Sequence, residues 1–179
     1  MSTRSLTAVA MVLIAVTGYT RSVAQETPHL GRPATPAAVA GWDISIPPDG
    51  TGLPPGSGTP EQGTVVYVQK CQACHGEKGA GQPNDRLVGG QGTLASTKPV
   101  LTIGSYWPYA TTVFDYVRRA MPYTQPQSLT NDEVYAVTAY LLHLNDIIGA
   151  QDVMNAQTLP QVKMPNRDNF LVVYPTQQR

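Results

Sequence analysis

Thr59-Pro60-Glu61-Gln62-Gly63-Thr64-Val65-Val66-Tyr67-Val68-Gln69-Lys70-Cys71-Gln72-Ala73-Cys74-His75 is the stretch from which the rest of this chain is read. A threonine followed by proline, with Glu61 in the first turn, marks a helix start: the hydroxyl caps a free N–H, proline has no N–H to leave unpaired, and the acid suits the positive helix end. Val65, Val68 and Gln72 are expected to share a face of this helix, with Cys71 nearby. The helix runs into Cys71-Gln72-Ala73-Cys74-His75. Two thiols at that spacing, followed at once by histidine, are the attachment signature of c-type haem. The thiols add to the vinyl groups as thioethers, and the adjacent histidine is placed beneath the iron as proximal ligand. A thioredoxin-like redox pair wants a surrounding βαβ pattern, and a zinc site wants two more ligands at compatible spacing; neither context is present. A disulfide across this gap closes a loop too small to constrain the unfolded chain much. The chain has two cysteines, and they point to one covalently attached haem c at Cys71 and Cys74, with His75 on the iron.

Downstream, Gly76 and Gly79-Ala80-Gly81 let the chain turn tightly, and Leu87, Leu101, Tyr106, Trp107 and Tyr109 are candidates to close an apolar pocket. Val113, Phe114 and Val117 recur at helical spacing within a helix expected over Tyr109 to Ala120, which Pro122 stops. Met121 sits at that stop. Arg118 and Arg119 suit a solvated helix end, a propionate contact or a docking patch. Thr130-Asn131-Asp132-Glu133 is a capping box, and Val134, Val137, Leu141 and Leu144 form the stripe of a last helix ending near Asn145. His143 on that helix suits packing or exposure better than ligation, and His29 is read as solvated.

Sixteen glycines and sixteen prolines are far more than a helical core needs, and eight of the prolines and six of the glycines cluster between Gln25 and Pro60. Residues 25–58 form a Pro/Gly-rich arm whose prolines exclude a helix or central strand. Within it, Gly41-Trp42-Asp43-Ile44-Ser45-Ile46 is apolar enough to dock, on a partner or back on its own core. Residues 151–179, with Pro160, Pro165 and Pro175, form a polar C-terminal extension in which Met164 and Phe170 are possible anchors. Twelve Lys plus Arg balance twelve Asp plus Glu, so nothing attracts the chain to nucleic acid. Leu6 to Val16 is an uncharged, mostly apolar run, too short to span a bilayer but right for a secretory signal. Small residues at Ser22 and Ala24 fit cleavage after Ala24. The expected division is therefore a signal peptide over 1–24, the arm over 25–58, a core domain over 59–150 and the extension over 151–179. No second run is long enough to cross a membrane, so an exported, periplasmic protein is expected.

A helix entering CxxCH, a later methionine in a proline-containing loop and a terminal amphipathic helix, in that order over residues 59 to 146, make the chain similar to class I cytochromes c. The resemblance implies an all-α fold and a methionine as sixth iron ligand, which falls on Met121 in Arg118-Arg119-Ala120-Met121-Pro122-Tyr123. A soft, neutral thioether favours ferrous iron and raises the potential. Met164, in Lys163-Met164-Pro165-Asn166-Arg167, repeats the Met-Pro pair and is the competing ligand; Met154 is a weaker one. More narrowly, Trp42-Asp43-Ile44, the run Pro48 to Gly58, Gly104-Ser105-Tyr106-Trp107-Pro108-Tyr109-Ala110-Thr111-Thr112 and Met164-Pro165-Asn166-Arg167 resemble monohaem cytochrome c subunits of molybdenum sulfite dehydrogenases. They also resemble the cytochrome module of the Sox sulfane dehydrogenase, typically a longer dihaem protein, whereas this chain has a single CxxCH. The resemblance implies an electron-transfer subunit without a catalytic residue of its own. It would accept electrons from a molybdopterin sulfite or sulfane dehydrogenase in sulfur oxidation and pass them to another cytochrome c or an oxidase. A general carrier serving another dehydrogenase is the alternative, followed by a catalytic or a sensing haem protein.

Overall fold

A computed structural model describes residues 31–171; the expected signal peptide, its cleavage site, His29 and the last eight residues lie outside the described residues. The described chain falls into two units, 31–41 and 42–171. The first contains helix α1 (Pro36–Ala40), with Thr35 as N-cap accepting from the Ala38 N–H and Pro36 at the first position. The expectation that the arm holds no helix is corrected here: a proline at the first helical position supports a short helix as readily as an internal one breaks it.

The second unit is built on three helices, α2 (Pro60–Lys70), α4 (Ala110–Ala120) and α5 (Asn131–Leu144), with the single turn α3 (Gln72–His75) following α2. Thr59 and Thr130 both cap as expected. Each hydroxyl accepts the N–H three residues on, and Gln62 and Glu133 reach back to the cap N–H groups, so α2 also starts on a full capping box. Helix α5 is buried from Val134 through Leu142 and forms the spine of the unit.

Helix α2 turns the other face to it. Val65 and Val68 are more than half exposed, and Gly63, Val66 and Tyr67 are buried. The deciding residue is Gly63: a Cβ there would overlap the Ala136 carbonyl and crowd Tyr140, so its bare backbone lets α2 press directly on α5. Tyr67 then meets Tyr140, ring centroids 5.3 Å apart. Counting valines selects the wrong face because glycine contributes closeness instead of apolar area. Gly63→Ala is expected to cost about 3 kcal/mol by overpacking, measured as a lower denaturant midpoint.

The segment 42–58 packs back on this core. Ile46 is buried, its N–H donates to the buried Asp115 carboxylate at 2.8 Å, and Arg118 donates to the Ile44 carbonyl at 3.1 Å. Thr111 bonds the Pro48 carbonyl, Tyr135 the Pro54 carbonyl, and the Ser57 N–H donates to Asp132. Strand β1 (Ser57–Gly58) then pairs antiparallel with β2 (Met154–Asn155), so the segment before the helices and the one after them meet in a two-residue ladder. Neither arginine is a simple solvated helix end: Arg118 holds the arm, and Arg119 donates to Asp115. That hydrogen bond, before any other influence, raises the Arg119 pKa. Asp115→Ala leaves the Ile46 N–H without its acceptor and is expected to cost about 2 kcal/mol, as loss of a hydrogen bond to a charged group does. Protease cutting near residues 43–48 should rise with it, while the core helices stay protected.

Candidate haem site

Helices α2 to α5 leave a cavity of about 450 Å³, within the roughly 300–1,000 Å³ typical of cofactor sites. Cys71, Cys74 and His75 enter it from the α2–α3 junction, and Met121 from the residue that ends α4. Leu87, Leu101, Ile103, Trp107, Val113, Val137 and Leu141 supply apolar walls. The four sequence-predicted residues are thus brought together in one space. Met164 and Met154 are not: both are buried in the core, at 4% exposure, and neither lines the cavity. His143 is half-buried, with its Nδ1 3.2 Å from the Ile148 carbonyl.

Cys71 is partly buried and Cys74 exposed, both as free thiols. Burial, followed by the neighbouring Cys74 and only partly offset by Lys70, pushes the Cys71 pKa up to about 11. The His75 ring is oriented by the loop that follows it. Its Nδ1 lies 2.9 Å from the Asp85 carbonyl; a carbonyl only accepts, so Nδ1 carries the proton and Nε2 keeps its lone pair for a metal. Gly76 stands directly after His75 at φ +75°, and a Cβ there would run into the Gly81 carbonyl, so the tight return of the chain toward Asp85 requires glycine at this position. The Tyr67 hydroxyl donates to the Gly76 carbonyl at 2.9 Å, and desolvation, then Cys71, holds that phenol's pKa up at about 12. Two thiols, an imidazole with a free Nε2, a thioether and an apolar cavity fit a covalently attached haem.

The wall differs from expectation at two tyrosines. Tyr106 and Tyr109 do not line the cavity: Tyr106 packs edge-on against Phe170 at 5.4 Å, and Tyr109 lies beneath the Arg167 guanidinium. Tyr67, Tyr116 and Tyr123 line it instead. Tyr116 follows from the period of α4, one turn after Val113, but Tyr123 carries no periodic signal because it lies in a loop. Asn145 was also missed. Buried just after α5, it accepts the Gly89 N–H and donates to the Leu87 and Leu141 carbonyls, tying the loop that bears Leu87 and Asp85 to the last helix. Asparagine as a helix C-cap was its one visible signal.

Residues 58–141 match the family model of cytochrome c oxidase, cbb3-type, subunit III. The chain is also similar to the thiosulfate dehydrogenase of Psychrobacter arcticus, 28% identical over 105 residues that make up 56% of this chain and 32% of that protein; it spans about a third of that relative's length. A chain in the crystal structure of the sulfane dehydrogenase SoxCD from Paracoccus pantotrophus superposes with a TM-score of 0.75 at 42% identity, over 83% of this chain and 72% of that one. This protein belongs to the class I c-type cytochromes. Within that class it is a homologue of chains from enzymes named for sulfane and thiosulfate oxidation. Membership brings covalently bound haem c and a role in electron transfer. Among the described residues no helix is long and apolar enough to cross a membrane.

Proposed function

We propose that this chain is a periplasmic, monohaem cytochrome that accepts electrons from a molybdenum-containing dehydrogenase of inorganic sulfur, with sulfite as the substrate of that enzyme. The observation that carries the redox part is the convergence of Cys71, Cys74, His75 and Met121 on one apolar cavity. Cys71 and Cys74 would attach the haem, and His75 and Met121 would be its axial ligands. When bound, the haem supplies a one-electron couple whose potential the His/Met pair holds high. The Asp85 carbonyl keeps His75 in the Nδ1–H tautomer, and Met121, at the end of α4, offers a neutral thioether on the same cavity. Leu87, Ile103, Val137 and Leu141 exclude water, which favours the less charged, reduced state. Tyr123, 81% exposed, and Leu101, 55% exposed, reach from the cavity lining to solvent, where an electron partner can approach. A methionine filling the sixth position argues against catalysis at the iron and for outer-sphere transfer to a second cytochrome or an oxidase.

The single CxxCH of the chain supports the sulfite-type assignment, and the 42% identity to a SoxCD chain supports a second reading in which the donor oxidises sulfane sulfur. Purification from the native periplasm with bound partners, molybdenum analysis and separate additions of sulfite and of a sulfane-sulfur donor decide between them. Haem reduction by sulfite that requires the molybdenum partner is the expected result. Reduction by sulfane sulfur alone establishes the second reading. No molybdenum and no reduction by either overturns both and leaves a general carrier.

A further inference from the structure

The C-terminal extension reads from sequence as a polar arm with Met164 and Phe170 as possible anchors, and its segment 164–169 grips the loop that carries one wall of the cavity. Asn166 is 5% exposed. Its Nδ2 donates to the Tyr106 carbonyl at 2.8 Å and its Oδ1 accepts from Asn169 at 3.1 Å. Met164 anchors the segment in the core, Arg167 lies over the Tyr109 ring at 5.4 Å, and Phe170 meets Tyr106 edge-on at 5.4 Å. Between the two gripped residues stands Trp107, which lines the cavity and packs edge-on against Tyr116, another lining residue, at 5.7 Å.

We propose that Asn166 is a positioning residue for the redox site: by bonding the Tyr106 carbonyl, the segment 164–169 holds Trp107 as a wall of the haem cavity. The proposal rests on the haem assignment above. Losing a buried donor leaves the Tyr106 carbonyl seeking water. The start of the loop is still held by the Tyr106 N–H on the Thr102 carbonyl and the Ser105 hydroxyl on the Val100 carbonyl, so what slackens is the Trp107 side beyond it, which rests on packing against the core and an edge contact with Tyr116. A wall that swings out admits water to the cavity, and hydration of the haem surroundings moves its potential. Phe170 and Tyr106 are both 41–43% exposed, so a partner bound at this edge would act on the same wall.

Trp107 reports directly on the clamp. The chain has two tryptophans, Trp42 and Trp107, and Trp42 is 88% exposed and away from the cavity lining, so Trp42→Phe leaves Trp107 as the sole tryptophan, excited selectively over the tyrosines and quenched by energy transfer to an adjacent haem. In that background, Asn166→Ala and the isosteric Asn166→Asp, which cannot donate, should both raise Trp107 emission severalfold and shift the potential, with covalent haem retained. Phe170→Ala, at an exposed side chain, should move both readouts in the same direction but less, and stands in if the Asn166 variants do not fold. Unchanged emission and potential in a folded Asn166→Ala or, in its absence, in Phe170→Ala overturns the clamp while leaving the haem assignment intact. An Asn166→Asp protein that behaves as wild type also overturns it, since donation would then be irrelevant. Absence of covalent haem from the wild type on a denaturing gel removes the haem assignment, and the clamp with it.

Discussion

Changing both Cys71 and Cys74 to serine is expected to abolish covalent haem: the purified polypeptide should lose its haem stain on a denaturing gel and the mass of one haem in an intact-mass spectrum. The effect is all-or-none because a thioether needs sulfur, and the chain contains no other cysteine to substitute. The apolar cavity is itself a liability when empty, since Val113, Val137 and Leu141 are buried in the core around it and an unfilled space of this size forfeits their contacts. The variant should therefore also unfold more readily than the haem-loaded protein. Each single serine variant is expected to retain one thioether and a lower yield, with Cys74→Ser less destabilising to the apoprotein because Cys74 is exposed and Cys71 packs against the core.

Met121→Ala should leave haem attached through both thioethers but change its character. Without the thioether the ferric spectrum should turn to that of an open or water-filled sixth position, and the potential should fall by a sizeable part of the ~0.8 V range that axial ligands command. The fall follows from replacing a soft ligand that favours ferrous iron by a harder oxygen. The fold should hold, since Met121 lies beyond the last turn of α4 and is only partly buried. Met164→Ala is the matched control. Buried at 4% exposure and away from the cavity, it should cost about 2–5 kcal/mol of stability and leave the sixth ligand in place. The reverse pattern would assign the ligand to Met164.

The helix caps Thr59 and Thr130 were legible because they are local, and the Cys71-Cys74-His75 cluster, which lines the cavity, announces itself within a few residues. The place of Met121 on the same cavity was legible in part, from its position after α4 and before proline. What stayed hidden depends on partners distant in sequence. The buried face of α2 is set by Gly63 against Ala136, which no count of apolar residues on α2 reveals. The fate of the segment 42–58 is set by Asp115, sixty-nine residues from Ile46, and by Arg118 reaching Ile44, so this part of the proline-rich arm is irregular and fixed at once. Tyr106 and Tyr109 read as cavity residues because they stand close to Trp107 in an aromatic stretch, but residues of the C-terminal segment claim both rings: Phe170 packs on Tyr106 and Arg167 lies over Tyr109. Asn145 and Asn166 illustrate the same limit: a buried asparagine looks like any loop polar residue until the carbonyls it satisfies are placed beside it.

The account stands most directly on an anaerobic reductive titration of the wild-type chain, followed through its haem absorbance. It predicts that the protein takes up one electron per polypeptide in a single transition at a potential typical of a His/Met haem. No electron uptake, or uptake of two, would contradict a single haem held between Cys71, Cys74, His75 and Met121.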